Sequence, residues 1–199
     1  MDTLYANARI AGTDKPQDLL VEEGRFTRIG EGLARELPAQ GYDMTGIETV
    51  DLNGKLVCPP FCDTHLHLDY VFTARKPGAA NESGTLFEGI QRWSDTKADL
   101  TVDEVKTRAR KAVAMELRHG VQYIRSHADV TDPNLTSLKA LLELREELKD
   151  VVTIQIVSFP QEGMYSYRGP HGETGAELVE EGLRMGADCV GGIPHYEAC

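Results

Sequence analysis

The rhythm of apolar and polar positions changes once along this chain, near residue 60. Before that point, short runs alternate apolar with polar residues and are split by turn pairs: LYANARIAG, then DLLVEEGRFTRIG around Glu23-Gly24, then ETVDLNGKLVCPP around Asn53-Gly54. A period of two marks half-buried strands, and Gly or Asn at the break tolerates the positive φ that hairpin turns need. Residues 1–57 therefore read as a small N-terminal β-sandwich-like domain. The polar stretch 31–47 reads as a mobile loop within it.

After residue 60 the pattern becomes strand, loop, helix, repeated. Strands are predicted at 61–68 (FCDTHLHL), 121–130 (VQYIRSHADV), 151–159 (VVTIQIVSF) and 187–193 (ADCVGGI). Between them, helices are predicted within SGTLFEGIQRWSD, with Leu86, Phe87, Ile90 and Trp93 on one stripe, and within TVDEVKTRARKAVAMELRHG, from a Thr101/Glu104 capping box to Gly120. A third runs from Asp132-Pro133 to about Lys149, and a fourth near TGAELVEEGLRMG from a Thr174/Glu177 box to Gly186. Strands rich in β-branched residues, alternating with amphipathic helices, predict a parallel sheet covered by helices. No GxGxxG or GxxxxGK[ST] follows any strand, which takes support from nucleotide-binding versions. The reading is α/β: residues 58–199 as the first four βα units of a (β/α)8 TIM barrel, a fold that takes ~250 residues when complete, and so apparently a truncated one.

Composition narrows the partners. Thirty-two acidic against 21 basic residues give a net charge of -11, with the cations scattered, which argues against nucleic acid. No run approaches the ~20 apolar residues of a membrane span and the first residues lack a signal-peptide layout, so no membrane is expected and a cytoplasmic location is. Cys58, Cys62, Cys189 and Cys199 form no CxxC pair and read as reduced, mostly buried thiols.

The chemistry concentrates in FCDTHLHLD. On a strand, Asp63, His65 and His67 would share a face with residue 61, while Cys62, Thr64 and Leu66 face away. Two imidazoles at the carboxyl end of a first barrel strand begin a site for a divalent transition metal, in the place where barrel enzymes build their active sites. The plainer alternative is two histidines satisfying hydrogen bonds in a polar barrel mouth; the strand context and the Pro59-Pro60 lead-in favour the metal. Asp63 reads equally as an orienting or a structural carboxylate. His127 shares register with Arg125 and Asp129 and could line the mouth, although a structural histidine is the ordinary reading. His195 would border the pocket, and His171 face solvent. Trp93 and Met115 read as core, and the Glu-rich LLELREELKD as a solvated helix face.

GKLVCPPFCDTHLHLD resembles the signature of the amidohydrolase superfamily, and SGTLFEGIQRW, SFPQEG and GADCVGGIPHYE resemble its bacterial cytosine deaminase branch. The resemblance covers nearly all of residues 55–197. It implies an enzyme with one divalent metal ion, Fe2+ or Zn2+, that hydrolyses an amino group from a nitrogen heterocycle, most simply cytosine to uracil plus ammonia. It matches His65 and His67 to metal ligands, Gln161 to the residue whose amide reads the ring edge, and Leu86 to a position bordering the ring. The partners implied are a small heterocyclic base and water, and a homo-oligomer is suggested. A third histidine ligand, a proton-shuttling glutamate, a second catalytic histidine and a metal-binding aspartate would lie beyond Cys199, so no catalytic residue is assigned and the chain alone is expected to be inactive. ARKPGAANE and YSYRGPHGETG depart from the branch pattern, which leaves room for another ring: isocytosine, a triazine amine or a cyclic amide. A noncatalytic half-barrel is the reading from a different class. His171-Gly172-Glu173 and His195-Tyr196-Glu197 fit half of the cytidine deaminase pattern, but no PCxxC follows.

Overall fold

The computed structural model describes residues 2–132, 134–194 and 197 and divides into two compact units, Met1–Pro59 and Pro60–Cys199. In the first, strands β1 (Asp2–Ile10), β2 (Gln17–Glu22) and β3 (Arg25–Gly30) pair antiparallel in sequence. Glu23 and Gly24 both take positive φ (51° and 74°) at the tight β2–β3 turn, as the alternation predicts. The hairpin expected around Asn53-Gly54 does not form. Strands β4 (Ile47–Asp51) and β5 (Leu56–Val57) instead lie in succession along β1, both parallel to it, and the turn between them is held by Leu52 N–H to Ala6 O and Gly54 N–H to Asn7 O. The polar stretch 31–47 is also not simply a loop. It contains helix α1 (Leu33–Ala39), because Leu33 and Leu37, one turn apart, bury against Leu4 and Leu20.

The second unit is a four-stranded parallel sheet in the order β6 (Phe61–Leu66), β7 (Val121–Asp129), β8 (Thr153–Phe159) and β9 (Cys189–Val190). Helices α2 (Leu86–Lys97) and α3 (Val102–Arg118) connect β6 to β7, α4 (Thr136–Leu148) connects β7 to β8, and α5 (Gly175–Met185) connects β8 to β9. Sequential parallel strands joined by helices make this a partial (β/α) barrel. Its core is the seam between sheet and helices: Ile124, Ile154 and Ile156 meet Val105, Ala109 and Val113 of α3 and Leu138, Leu141 and Leu144 of α4. Gly182 of α5 is required there, since a Cβ would come within 2.4 Å of the Ser158 hydroxyl.

Local signals place most helix ends. Thr174 and Glu177 form the reciprocal capping box. Thr101 accepts from Glu104 N–H, while the Glu104 carboxylate pairs with Lys76 and Arg108. Helix α4 begins at Thr136, later than expected. Asp132 still caps it, its Oδ2 accepting from Thr136 and Ser137 N–H, but Leu135 takes φ 52° and delays the first turn; Pro133 lies outside the described residues. Strand β9 is shorter than predicted. Cys58 and Cys62 are exposed and Cys189 is half-buried, against the expectation of mostly buried thiols, because Cys62 lies on an edge strand; Cys199 lies outside the described residues. Met115 is exposed on the outer face of α3, whereas Trp93 is buried. Among the described residues no helix is long and apolar enough to cross a membrane.

Candidate metal centre and pocket

Strict alternation along β6 does not hold. Its register against β7 slips between Asp63 and Leu66, so that three steps on β6 match two on β7. Asp63 pairs with the buried Ile124, and Cys62 and Thr64 line a cavity with Tyr123, Arg125 and Gln155, so Asp63 does not share the outlook expected for it. The Asp63 carboxylate instead accepts from His65 N–H at 2.9 Å, closing a turn over the irregularity. Beyond the slip, His65 and His67 stand on one side, their ring centroids 5.3 Å apart.

His127, two residues before the end of β7, completes a cluster. It stacks on His65 at 4.1 Å and lies 5.3 Å from His67, and one nitrogen from each ring lies within 4.8 Å of the other two. Burial, then the neighbouring His127 and His65, push the His67 imidazole down to about 4, and burial and His65 lower His127. Both rings are thus neutral near pH 7, the form that binds metals. The Nδ1 atoms of His67 and His127 are buried without a well-formed hydrogen bond among the described residues, the nearest backbone partners being His127 for His67 and Leu66 for His127. Clustered neutral imidazoles with unsatisfied nitrogens are a donor set that fits a divalent transition ion.

The imidazoles of His65 and His67 open onto a cavity of about 630 Å3. Tyr70, Trp93 and Phe159 wall it; Tyr70 stacks on His67 at 4.5 Å and Phe159 meets it edge-on at 5.5 Å. Gln161, buried just after β8, and Leu86, exposed at the first turn of α2, both line it. Apart from the histidines, the lining among the described residues carries no ionisable group but the Tyr70 phenol. The loop leading to Leu86 is pinned by Glu88, whose carboxylate accepts from Glu82 N–H at 3.1 Å and Ser83 N–H at 2.7 Å. His171 is exposed and is not part of this lining, and His195 lies outside the described residues.

Beneath the cavity lies a polar group with no local signature in the sequence. Asp129, at the end of β7, is fully buried with Lys97 of α2 at 3.1 Å. Asp69, also fully buried, accepts from Asp129 N–H at 2.9 Å, and burial pushes its carboxyl up to about 7. These residues lie 28 to 60 positions apart along the chain, so only the fold joins them.

A parallel α/β half-ring with clustered imidazoles at the carboxyl ends of its first two strands defines the metal-dependent hydrolase class of barrel. Residues 48–197 match the family described as "Amidohydrolase family", and the chain belongs to that family. Among solved structures, it is similar to 5-methylcytosine deaminase from Klebsiella pneumoniae liganded with 5-fluorocytosine, at 41% identity and TM-score 0.84, covering 98% of this chain and 44% of that one. It is also similar to N-isopropylammelide isopropylaminohydrolase from Burkholderia multivorans, at 29% identity and TM-score 0.73, covering 96% and 44%. The N-isopropylammelide isopropyl amidohydrolase of Pseudomonas sp. (strain ADP) is 31% identical over 96% of this chain and 45% of its own length. The chain thus spans less than half the length of these relatives.

Proposed function

We propose that the whole protein is a hydrolytic deaminase of a nitrogen heterocycle, with cytosine or a close analogue such as 5-methylcytosine as substrate and uracil or its analogue plus ammonia as products. The observation that carries this reading is the joining of an imidazole cluster to an aromatic-walled cavity with one buried amide at its edge. His65 and His67 would hold one divalent ion, Fe2+ or Zn2+, with His127 packed against them. When bound, such an ion supplies Lewis acidity and lowers the pKa of water toward ~7.

The chain's own residues then select and place the ring. Trp93, Tyr70 and Phe159 offer flat apolar faces that exclude water from it. The Gln161 side chain offers one donor group and one acceptor, which complements the amino–imino edge of a cytosine-like base. Leu86 would border the ring from the start of α2. A lining free of Lys, Arg, Asp and Glu among the described residues suits an uncharged base.

The similarity to two N-isopropylammelide hydrolases supports a second reading, hydrolytic removal of an amine from a triazine. Ammonia and amine release by metal-loaded full-length protein, offered cytosine, 5-methylcytosine, isocytosine and N-isopropylammelide, separates the two. Turnover of a pyrimidine is expected. Turnover of the triazine alone would favour the second reading, and no release from any of the four would sink both.

A further inference from the structure

We propose that Asp129 is a positioning residue of this site: its buried carboxylate, neutralised by Lys97, holds both the Trp93 wall and the Gln161 turn against the cavity. Asp129 does not itself line the cavity. Its Oδ2 accepts from the Trp93 indole N–H at 2.7 Å and from Lys97 Nζ at 3.1 Å. Its Oδ1 accepts from the backbone and hydroxyl of Thr131 at 2.8 and 2.6 Å, and from Gln161 N–H at 3.4 Å. One carboxylate therefore takes donors from α2, from its own loop and from the turn after β8, and two of those donors belong to residues that line the cavity.

Lys97 closes the arrangement from the other side. Its ammonium also reaches Glu162 Oε1 at 2.6 Å, and the same oxygen accepts from Ser94 at 2.7 Å. The last turns of α2 thus reach the Gln161 segment twice, through Asp129, which accepts from the Gln161 N–H, and through Glu162, the next residue. A buried ion pair is a costly way to gain stability alone, since apolar groups of equal volume often serve as well. Its directional bonds do what apolar packing does not: they fix the backbone from which the Gln161 side chain projects beside the cavity.

The consequence for binding rests on the heterocycle reading above, whereas the clamp itself does not, and the test separates them. In the full-length protein, Asp129→Asn keeps the shape but places an amide N–H against the Trp93 and Lys97 donors. Hydrogen exchange followed by NMR is expected to be about tenfold faster at the Trp93 indole and the Gln161 amide, the loss of a charge-assisted bond, with α3 unchanged. Exchange at wild-type rates would overturn the proposal.

Cytosine titrated calorimetrically into the zinc-loaded full-length protein reads the second half. Asp129→Asn is expected to weaken binding about tenfold in the parent, and about threefold when Gln161 is already Ala, the remainder passing through the Trp93 wall. Equal losses in both backgrounds would overturn it. If the parent binds no cytosine, the heterocycle reading fails and exchange alone decides the clamp. Should Asp129→Asn not fold, Trp93→Phe deletes the indole donor and keeps a ring: faster Gln161 exchange supports the clamp, and an unchanged rate overturns it.

Discussion

Two polar clusters stand side by side at the carboxyl ends of β6, β7 and β8, and they differ in how fully their atoms are paired. Around Asp129 every oxygen has a donor, and Lys97 supplies the countercharge. Around His65, His67 and His127, buried nitrogens lack well-formed hydrogen bonds among the described residues and the rings open onto a cavity. The first is what a scaffold needs, because a half-satisfied buried network costs more than an apolar core. The second is what a ligand site needs, because unsatisfied groups that are costly alone become favourable when an ion or substrate completes them. His127 and Asp129, two positions apart on one strand, thus differ in how fully they are paired.

The contrast is sharpest where one cluster is damaged and the other is read. Lys97→Met leaves the Asp129 carboxylate buried without its cation and is expected to cost about 3–5 kcal/mol in chemical denaturation, with zinc binding by the folded fraction unchanged. A loss below about 1 kcal/mol would show that the pair is not the support its burial suggests.

His67→Ala is expected to do the reverse. Zinc affinity, followed by competition with a chromophoric chelator, should fall on the order of 100-fold, while stability changes by about 1 kcal/mol or less. His127→Ala should give a smaller loss, about tenfold, if its ring joins or orients the donor set. Zinc binding identical to the parent would reduce His127 to packing.

The smallest effect concerns the rim. Bonds from Ser83, then from the Glu82 amide, hold the Glu88 carboxyl down to about 2 from an ordinary value near 4.5. A folded-state value below the unfolded one means that its contribution is fully present above pH 4.5 and is lost as pH falls through about 2. The carboxyl carbon of Glu88 should therefore titrate near pH 2 by NMR; a midpoint near 4.5 would show that the loop before Leu86 is not pinned by it.

The sequence by itself determined the order of strands and helices after residue 60, the threonine caps Thr101 and Thr174, and the placing of His65 and His67 where the first parallel strand ends. Those features follow from neighbours a few residues apart, where hydrogen-bond geometry and apolar spacing act directly. It misread Asn53-Gly54, since a turn residue states its own φ and not which strand its flanks will join. The α1 helix was hidden because only Leu33 and Leu37 mark its apolar face.

Tertiary structure decided the rest. The slip in β6 depends on pairing with β7, and the approach of His127 to His65, of Asp129 to Trp93 and of Gln161 to Asp129 arises from elements packed across a shared core. No local preference encodes such distances, because the free energy that fixes them comes from burying Ile124, Leu141 and their neighbours, which specify packing without naming the polar groups carried to the strand ends.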